Sequence, residues 1–167
     1  MINTIKYSIG GSFVFCTISG RTVNDLPFGM DEKHPGCIQT KLMLANRIIE
    51  MIAYGVTDYF CNCEYGIPIW AAELILKMKS HHGIRLHIVM PHEEQASQWS
   101  DDVRERFFHI HETADSVKLI STFYHKNCYR QVDEYMADNS QLVFTDDRES
   151  LIAAYAGIRK IRVERLL

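Results

Sequence analysis

Residues 56–79 read VTDYFCNCEYGIPIWAAELILKMK and contain the strand-to-helix transition that decides the fold. The run 56–61 is short, apolar and rich in β-forming residues, which is typical of a buried strand. Residues 67–79 place their apolar side chains at helical spacing, so they predict a helix with one buried face. A strand that leads through a tight junction into a helix is the repeating unit of α/β proteins.

The same alternation of strand and helix continues in both directions from this unit. Strands joined by helices of this length pair in parallel through right-handed crossovers. We therefore predict a three-layer α/β/α Rossmann-like sandwich with a mostly parallel sheet, formed by a single domain over residues 1–167. The predicted strands are 13–18, 56–61, 85–90, 116–121, 141–145 and 160–163, and the predicted helices are 38–54, 67–79, 95–109, 127–138 and 148–155.

Two segments near the start of the chain fall outside this alternation. Residues 1–12 are predicted to form an edge strand or an ordered arm, because a weak alternation at 5–9 ends at two glycines. Residues 22–36 contain two prolines and two glycines among mixed charges, which predicts a long loop. In the helix that follows, we expect the core-facing residues to be Ile38, Leu42, Ala45, Ile48, Ile49 and Ile52.

The composition is that of an ordinary folded domain. The 167 residues are 47% hydrophobic and 23% charged, which disfavours disorder. The net charge of −3 disfavours duplex DNA as a partner, because DNA-binding surfaces are basic. No apolar stretch is long enough to span a membrane, and the five cysteines are scattered through core-forming segments. We expect a cytoplasmic protein with reduced thiols and no membrane segment.

Candidate site residues are found where the predicted strands end. Ligands of open parallel sheets bind outside the carboxyl ends of the strands, near the point where the strand order reverses. We therefore expect functional residues at the strand-to-helix junctions. They are residues 19–21, 61–66, 91–95, 121–122 and 145–147.

One junction and its helix, FCNCEYGIPIWAAE at 60–73, contain a Gly-Ile pair followed by Trp-Ala-Ala-Glu. Further motifs stand in chain order around it: Ser19-Gly20 after the first strand, Pro91, Gln95 and Trp99 after the third, and Arg130 at the start of a later helix. Together they resemble the YpsA-like family of uncharacterised bacterial proteins. This family is part of the SLOG superfamily of Rossmann-like domains, which includes the LOG phosphoribohydrolases and the DprA DNA-processing proteins.

The resemblance implies a site for a small nucleotide-like molecule, with no cofactor and no metal. The ligand-binding residues that it implies are Ser19, Gly20, Arg21, Cys61, Asn62, Gly66, Trp70, Pro91, Gln95 and Arg130. At the carboxyl edge of the sheet we expect one pocket lined by Gly20, Arg21, Asn62, Gly66, Trp70, Pro91 and Gln95. Self-association into a homo-oligomer is left open.

The sequence departs from the family at the turns that approach a phosphate. Many relatives have two glycines after the second strand, where this chain has Asn-Cys-Glu at 62–64. An Asp-Asp pair at 146–147 stands where many relatives have a Gly-Gly-Thr stretch. Side chains obstruct a phosphate and acidic groups repel it, so we expect weak nucleotide binding that depends on Arg21 or Arg130.

Three functions follow from the resemblance. The first is a sensor-type module that binds a nucleotide or nucleotide derivative and shows little or no nucleoside monophosphate hydrolysis. The second is a LOG-like phosphoribohydrolase, in which Glu73 is catalytic and acts with Arg21 or Arg130 on the ribose and phosphate. The alternative role for Glu73 is a helix-surface pair with Lys77. The third function is DprA-like handling of single-stranded DNA, which the net charge disfavours.

Two interpretations concern individual side chains. Trp70 and Trp99 serve either as a stacking surface for a base or as packing residues. Cys61 and Cys63 form a Cys-x-Cys pair, but a structural zinc site needs two further ligands, and no second Cys or His pair has ligand spacing. Small apolar packing accounts for both cysteines, so we expect no metal.

Overall fold

The computed structural model describes residues 13–167, and the edge strand or arm predicted at 1–12 lies outside that range. Strands and helices alternate throughout the described range, as the hydrophobic pattern predicts. The strands are β1 Phe15–Ser19, β2 Asp58–Cys61, β3 Arg85–His92, β4 Ser116–Ser121, β5 Leu142–Thr145 and β6 Arg162–Arg165. The helices are α1 Pro35–Ala53, α2 Ile67–Lys79, α3 Asp101–Thr113, α4 Cys128–Asp138 and α5 Leu151–Ile158.

The strands form one parallel sheet in the order β4-β3-β2-β1-β5-β6. The chain builds outward from β1 to β4 and then returns to the other side of β1 to add β5 and β6. Because parallel crossovers are right-handed, this reversal places α1, α2 and α3 on one face and α4 and α5 on the other. In agreement, α2 packs against α1 and α3, while α4 packs against α5. The predicted three-layer α/β/α fold is confirmed.

The central strand β2 shows why the sheet is buried on both faces. Tyr59 and Cys61 belong to the apolar cluster beneath α1, α2 and α3. Phe60, which points the other way, belongs to the cluster formed with α4 and α5. A parallel strand covered on both sides reads as a continuous apolar run, and this explains the absence of polar alternation at 59–61.

Helix α1 turns a different face to the core than its apolar spacing predicts. Its buried side chains are Cys37, Leu44, Ile48 and Met51. Ile38, Leu42 and Ile49 are about half exposed, so the predicted face is wrong at these three positions, whereas Ile48 is buried and Ile52 packs partly buried against the core. The helix has two adjacent apolar stripes, and the contact with the sheet selects the stripe that contains Cys37 and Met51.

Helices α3 and α5 begin later than predicted because serine residues precede their first turns. Ser100 stands before α3, where Asp101 and Asp102 complement the positive end of the helix dipole. Ser150 caps α5, and its hydroxyl accepts a hydrogen bond from the Ala153 amide. Residues 93–98 form turns, although the first turn of a helix was predicted from residue 95. The carboxyl end of β3 is therefore followed by turns and not directly by a helix. Within residues 13–167, no helix has the length and apolar character needed to cross a membrane.

Candidate functional site at the carboxyl edge of the sheet

A cavity opens at the point where the strand order reverses, between β1 and β5. All strands of the sheet run in parallel, so the junctions after β1, β2, β3 and β5 lie at this one edge. The cavity has a volume of about 420 Å³, and we call it the edge cavity. Its lining includes Ser19, Gly20, Arg21, Thr22, Asn62, Glu64, Asp133, Thr145 and Asp147.

Two glycines allow the junction after β1 to lie directly against the start of α2. A Cβ atom on Gly20 would lie 2.5 Å from Cγ2 of Ile67. A Cβ atom on Gly66 would lie 2.6 Å from the carbonyl oxygen of Arg21, and the φ angle of +140° at Gly66 also favours glycine. Gly66 forms an antiparallel bridge with Thr22 in this contact. The requirement for glycine at both positions is therefore one of close backbone packing.

The same contact occupies the backbone amides at the start of α2. The Ile67 N–H donates to the carbonyl oxygen of Arg21 at 3.1 Å, and the Ile69 N–H donates to that of Glu64 at 3.2 Å. Pro68, between them, has no N–H. In dinucleotide-binding folds the amides at this helix terminus bind the pyrophosphate. Here the protein itself satisfies them.

Asp146 supplies the anion that Arg21 binds. Its carboxylate accepts a hydrogen bond from the Arg21 backbone N–H at 2.9 Å and another from the guanidinium Nε at 2.6 Å. The Asp146 side chain is only 2% exposed, whereas that of Arg21 is 42% exposed. The pair joins the junctions after β1 and β5, so the cation nearest the edge cavity is already neutralised.

The other charged side chains that line the edge cavity are acidic: Asp25, Glu64, Asp133 and Asp147. Burial, together with the negative charges of Glu64 and Glu134, raises the pKa of Asp133 to about 7. Burial also raises the pKa of Glu64, although the Asn62 amide donates a hydrogen bond to it at 2.9 Å. At neutral pH, Asp133 can therefore accept a hydrogen bond as a carboxylate or donate one as an acid.

A second cavity, of about 410 Å³, lies beside the first and shares Thr22 and Glu64 with it. We call it the side cavity, and its lining includes Tyr65, Gln95, Gln98, Trp99 and Tyr129. Gln95 is buried, and its amide nitrogen donates to the carbonyl oxygen of Asn62 at 2.8 Å. Burial and the charge of Glu64 raise the pKa of Tyr129 to about 12, so its phenol stays protonated.

Several predicted ligand-binding residues lie outside the linings of both cavities: Cys61, Gly66, Trp70, Pro91 and Arg130. Trp70 is 1% exposed and its ring stacks on Phe28 in the core. The Cys61 thiol is buried and donates to the carbonyl oxygen of Pro68, and Pro91 is a buried residue of β3. Arg130 is exposed on α4, with its guanidinium 3.8 Å from the Glu134 carboxylate.

Glu73 belongs to a separate set of charged side chains that we call the Glu32 network. Arg106 donates to Glu73 at 2.7 and 3.0 Å and to Glu32 at 2.7 Å. Lys41 also binds Glu32. Burial opposes the ionisation of Glu32, but the hydrogen bonds from Arg106 and Lys41 outweigh it and lower the pKa to about 2.

The network separates Glu73 from the cations that were predicted to act with it. Glu73 lines a groove of about 510 Å³ between α2 and α3, together with its partner Arg106. Arg21 pairs with Asp146, and Arg130 lies beside Glu134. The partner of Glu73 is thus neither of these arginines and is not the Lys77 of the surface-pair alternative.

Over residues 13–167, no group of three or more His, Cys, Asp or Glu side chains is arranged to hold a metal ion. Cys61 and Cys63 are both fully buried, and the Cys63 N–H donates to the Cys61 sulfur at 3.4 Å. Burial raises the pKa of Cys63 well above its usual value, so this thiol is protonated and packs as a small apolar group.

Two residues of helix α4 line the cavities and have no counterpart in the sequence prediction. Tyr129 lines the side cavity and Asp133 lines the edge cavity. Their spacing of four places both on one helical face. The signal that could have identified them is position, because the first turns of a helix that follows a parallel strand lie at the carboxyl edge of the sheet.

Comparison with known proteins gives the family. Residues 16–159 match the model of a family described as the YspA SLOG family. Similar proteins include the UPF0398 proteins of Halalkalibacterium halodurans (27% identical over 89% of this chain and 82% of the relative), Macrococcus caseolyticus (26%, 70% and 66%) and Bacillus cereus (27%, 73% and 64%). The last two matches span just under two thirds of those relatives. Since the family match covers most of the chain and agrees with the fold, the chain belongs to the YpsA family, the YspA SLOG family.

Proposed function

We propose that this chain is a sensor-type binding module for a nucleotide-derived small molecule, which it contacts through the ribose and base rather than through a phosphate. The observation that carries the proposal is the pairing of Arg21 with Asp146, which uses the cation and the backbone amide beside the edge cavity. The amides at the start of α2 are also satisfied. A phosphate at this edge would meet the acidic side chains of Asp25, Glu64, Asp133 and Asp147, and the cation beside them already pairs with Asp146.

The acidic lining suits the hydroxyl groups of a ribose. Carboxylates accept hydrogen bonds from sugar hydroxyls, and a carboxylate near the carboxyl edge has this role in dinucleotide-binding folds. Asp133 and Glu64 both line the edge cavity. The cavity volume of about 420 Å³ lies within the range of small-molecule sites.

The proposal includes binding with little or no hydrolysis. The family resemblance implies Glu73 as the carboxylate that would act on the sugar in a phosphoribohydrolase. Glu73 is held by Arg106 and lies outside the lining of the edge cavity. We therefore assign Glu73 a packing role between α2 and α3.

We place this binding in the cytoplasm. All five cysteines are buried free thiols, which is typical of proteins in reducing compartments. The expected partner is a small molecule, because both cavities have volumes typical of small-molecule sites and their charged lining is acidic apart from the paired Arg21.

Calorimetric titration with adenosine, AMP and ADP-ribose tests the proposal. Adenosine and AMP should bind with affinities within about threefold of each other, since the phosphate adds little. Asp133→Asn should weaken adenosine binding by about tenfold, because a hydrogen bond to a charged acceptor is lost. The matched control is Asp138→Asn on the same helix, where the carboxylate binds Arg159 and Tyr155 at the surface.

Two results would overturn this reading. AMP binding that is far tighter than adenosine binding and that is lost in Arg21→Ala would establish a phosphate site at Arg21. Release of ribose 5-phosphate from AMP, abolished in Glu73→Gln, would instead establish a phosphoribohydrolase.

A further inference from the structure

Helix α1 has a second apolar stripe beside the one that packs on the sheet. Ile38 is 50% exposed, Leu42 is 57% exposed and Ile49 is 51% exposed. Ala45 is half-buried, and Ile52 packs partly buried against the core. Steps of three and four residues place all five side chains on one face of the helix. We call this set the outer stripe of α1.

The outer stripe differs from the water-facing surface of α3, a helix in the same layer. That surface contains four exposed acidic residues: Asp101, Asp102, Glu105 and Glu112. The outer stripe contains no charged residue, and the two cations of α1, Lys41 and Arg47, are paired with Glu32 and Glu50. A contiguous exposed apolar surface is typical of a contact with another protein.

The outer stripe is symmetric about Ala45. Ile38 and Leu42 lie seven and three positions before Ala45, and Ile49 and Ile52 lie four and seven positions after it. In an antiparallel contact of two α1 helices with a twofold axis at Ala45, Leu42 faces Ile49 of the second copy, and Ile38 faces Ile52. The small side chain of Ala45 allows the helices to approach closely at the axis. The stripe therefore complements itself, which favours a second copy of this chain as its partner.

The charge and the length of α1 suit the same contact. Gln39 and Asn46, which border the outer stripe, are exposed and uncharged, so the symmetric contact brings no like charges together at these positions. The helix has 19 residues and is roughly 28 Å long. Two helices of this length that pack side by side bury on the order of 1,200 Å², which is the lower end of the range for stable interfaces.

We propose that α1 forms the interface of a symmetric homodimer, in which the outer stripes of two copies pack antiparallel across a twofold axis at Ala45. This inference goes beyond the proposed function and does not depend on it. The described linings of the edge cavity and the side cavity contain no residue of α1. Dimerisation and ligand binding therefore involve different surfaces and can be measured separately.

Leu42→Glu tests the surface. In sedimentation velocity at increasing concentration, the wild type should reach twice the mass of one chain, and Leu42→Glu should raise the dissociation constant at least about a hundredfold. Each interface contains the substitution twice, and each copy buries a carboxylate against an apolar side chain. The matched control is Phe108→Glu, at an apolar residue of α3 that is 52% exposed. It should leave the dissociation constant within about threefold of the wild-type value.

Ala45→Cys tests the position of the axis. Two cysteines that face each other at a twofold axis lie within disulfide distance, so mild oxidation should link two chains covalently. The five native cysteines are all buried, which keeps the background low. The control is Glu112→Cys, on the exposed surface of α3, and it should give no such link.

Each of the other outcomes contradicts the proposal. A wild type that stays monomeric at every concentration rules out the dimer, whether or not residues 1–12 cover the stripe. A dimer that persists in Leu42→Glu, or that dissociates in Phe108→Glu, places the interface elsewhere. A dimer without a cross-link in Ala45→Cys rules out the antiparallel arrangement about Ala45. The wild-type mass and the cross-link decide the question even if Leu42→Glu does not fold.

Discussion

The edge cavity and the Glu32 network both hold partly buried carboxylates, but the pKa values of these carboxylates shift in opposite directions. Glu32 receives hydrogen bonds from Arg106 and Lys41, and its pKa is lowered to about 2. Asp133 has no ion pair within the described residues, and burial raises its pKa to about 7. Paired carboxylates hold helices and loops together, whereas an unpaired one in a cavity lowers stability. Such unfavourable placement is typical of groups kept for a ligand.

The largest effect on stability is expected from removing the guanidinium that Glu32 and Glu73 share. Arg106→Met leaves both Glu32 and Glu73 without their shared guanidinium. Since removing one partner of a partly buried ion pair leaves uncompensated charge, we expect the free energy of unfolding to fall by about 3 kcal/mol. Urea denaturation at neutral pH measures it. Arg104→Met, at an exposed pair, is the control and should change stability by less than about 0.5 kcal/mol. Equal losses in the two variants would contradict the structural role of the network.

The second largest effect concerns Asp133, the unpaired carboxylate of the edge cavity. Asp133→Asn should increase the free energy of unfolding by about 2 kcal/mol at about pH 8 and leave it unchanged at about pH 4. Between these values the folded wild type retains the Asp133 proton while the unfolded chain has released it, so wild-type stability falls as pH rises toward the folded pKa of about 7. Denaturation curves across this range measure the effect. The Asp138→Asn control should show no such gain, and destabilisation by Asp133→Asn at about pH 8 would contradict the assigned pKa.

The smallest effect is the loss of the stabilising contribution of Glu32 at acidic pH. The lowered pKa of Glu32 means that its contribution to stability is complete above its ordinary pKa and disappears as pH falls toward about 2. Because the network is partly exposed, we expect this contribution to be about 1–2 kcal/mol. The difference in unfolding free energy between wild type and Glu32→Gln, followed from neutral to acidic pH, should shrink over that range. A difference that stays constant would show that the charge of Glu32 is not what stabilises the contact.

Local patterns predicted most of the fold because strands and helices depend on local spacing. The strand-turn-helix unit at 56–79 has clear periodicity, and the structure places β2 and α2 there. The start of α5 differs because capping by Ser150 outweighs the apolar pattern, and α3 starts where Asp101 and Asp102 complement the helix dipole. The face of α1 could not be chosen from spacing, since the helix has two apolar stripes.

The candidate site was less predictable, because it depends on contacts between distant segments. Topology alone indicates the carboxyl edge, and Arg21 and Asn62 lie there. The pairing of Arg21 with Asp146 joins residues 125 positions apart, which no local pattern reveals. Trp70 and Trp99 are alike in sequence terms, yet the first is in the core and the second lines the side cavity.

Asp146 is a tethered competitor of free anions for the guanidinium of Arg21. Covalent attachment gives a group an effective concentration of at least about the millimolar range at its partner, and rigid positioning raises it further. Inorganic phosphate must therefore displace a carboxylate that never diffuses away from Arg21. We expect the ligand binding proposed for the edge cavity to be insensitive to the phosphate concentration of the surroundings.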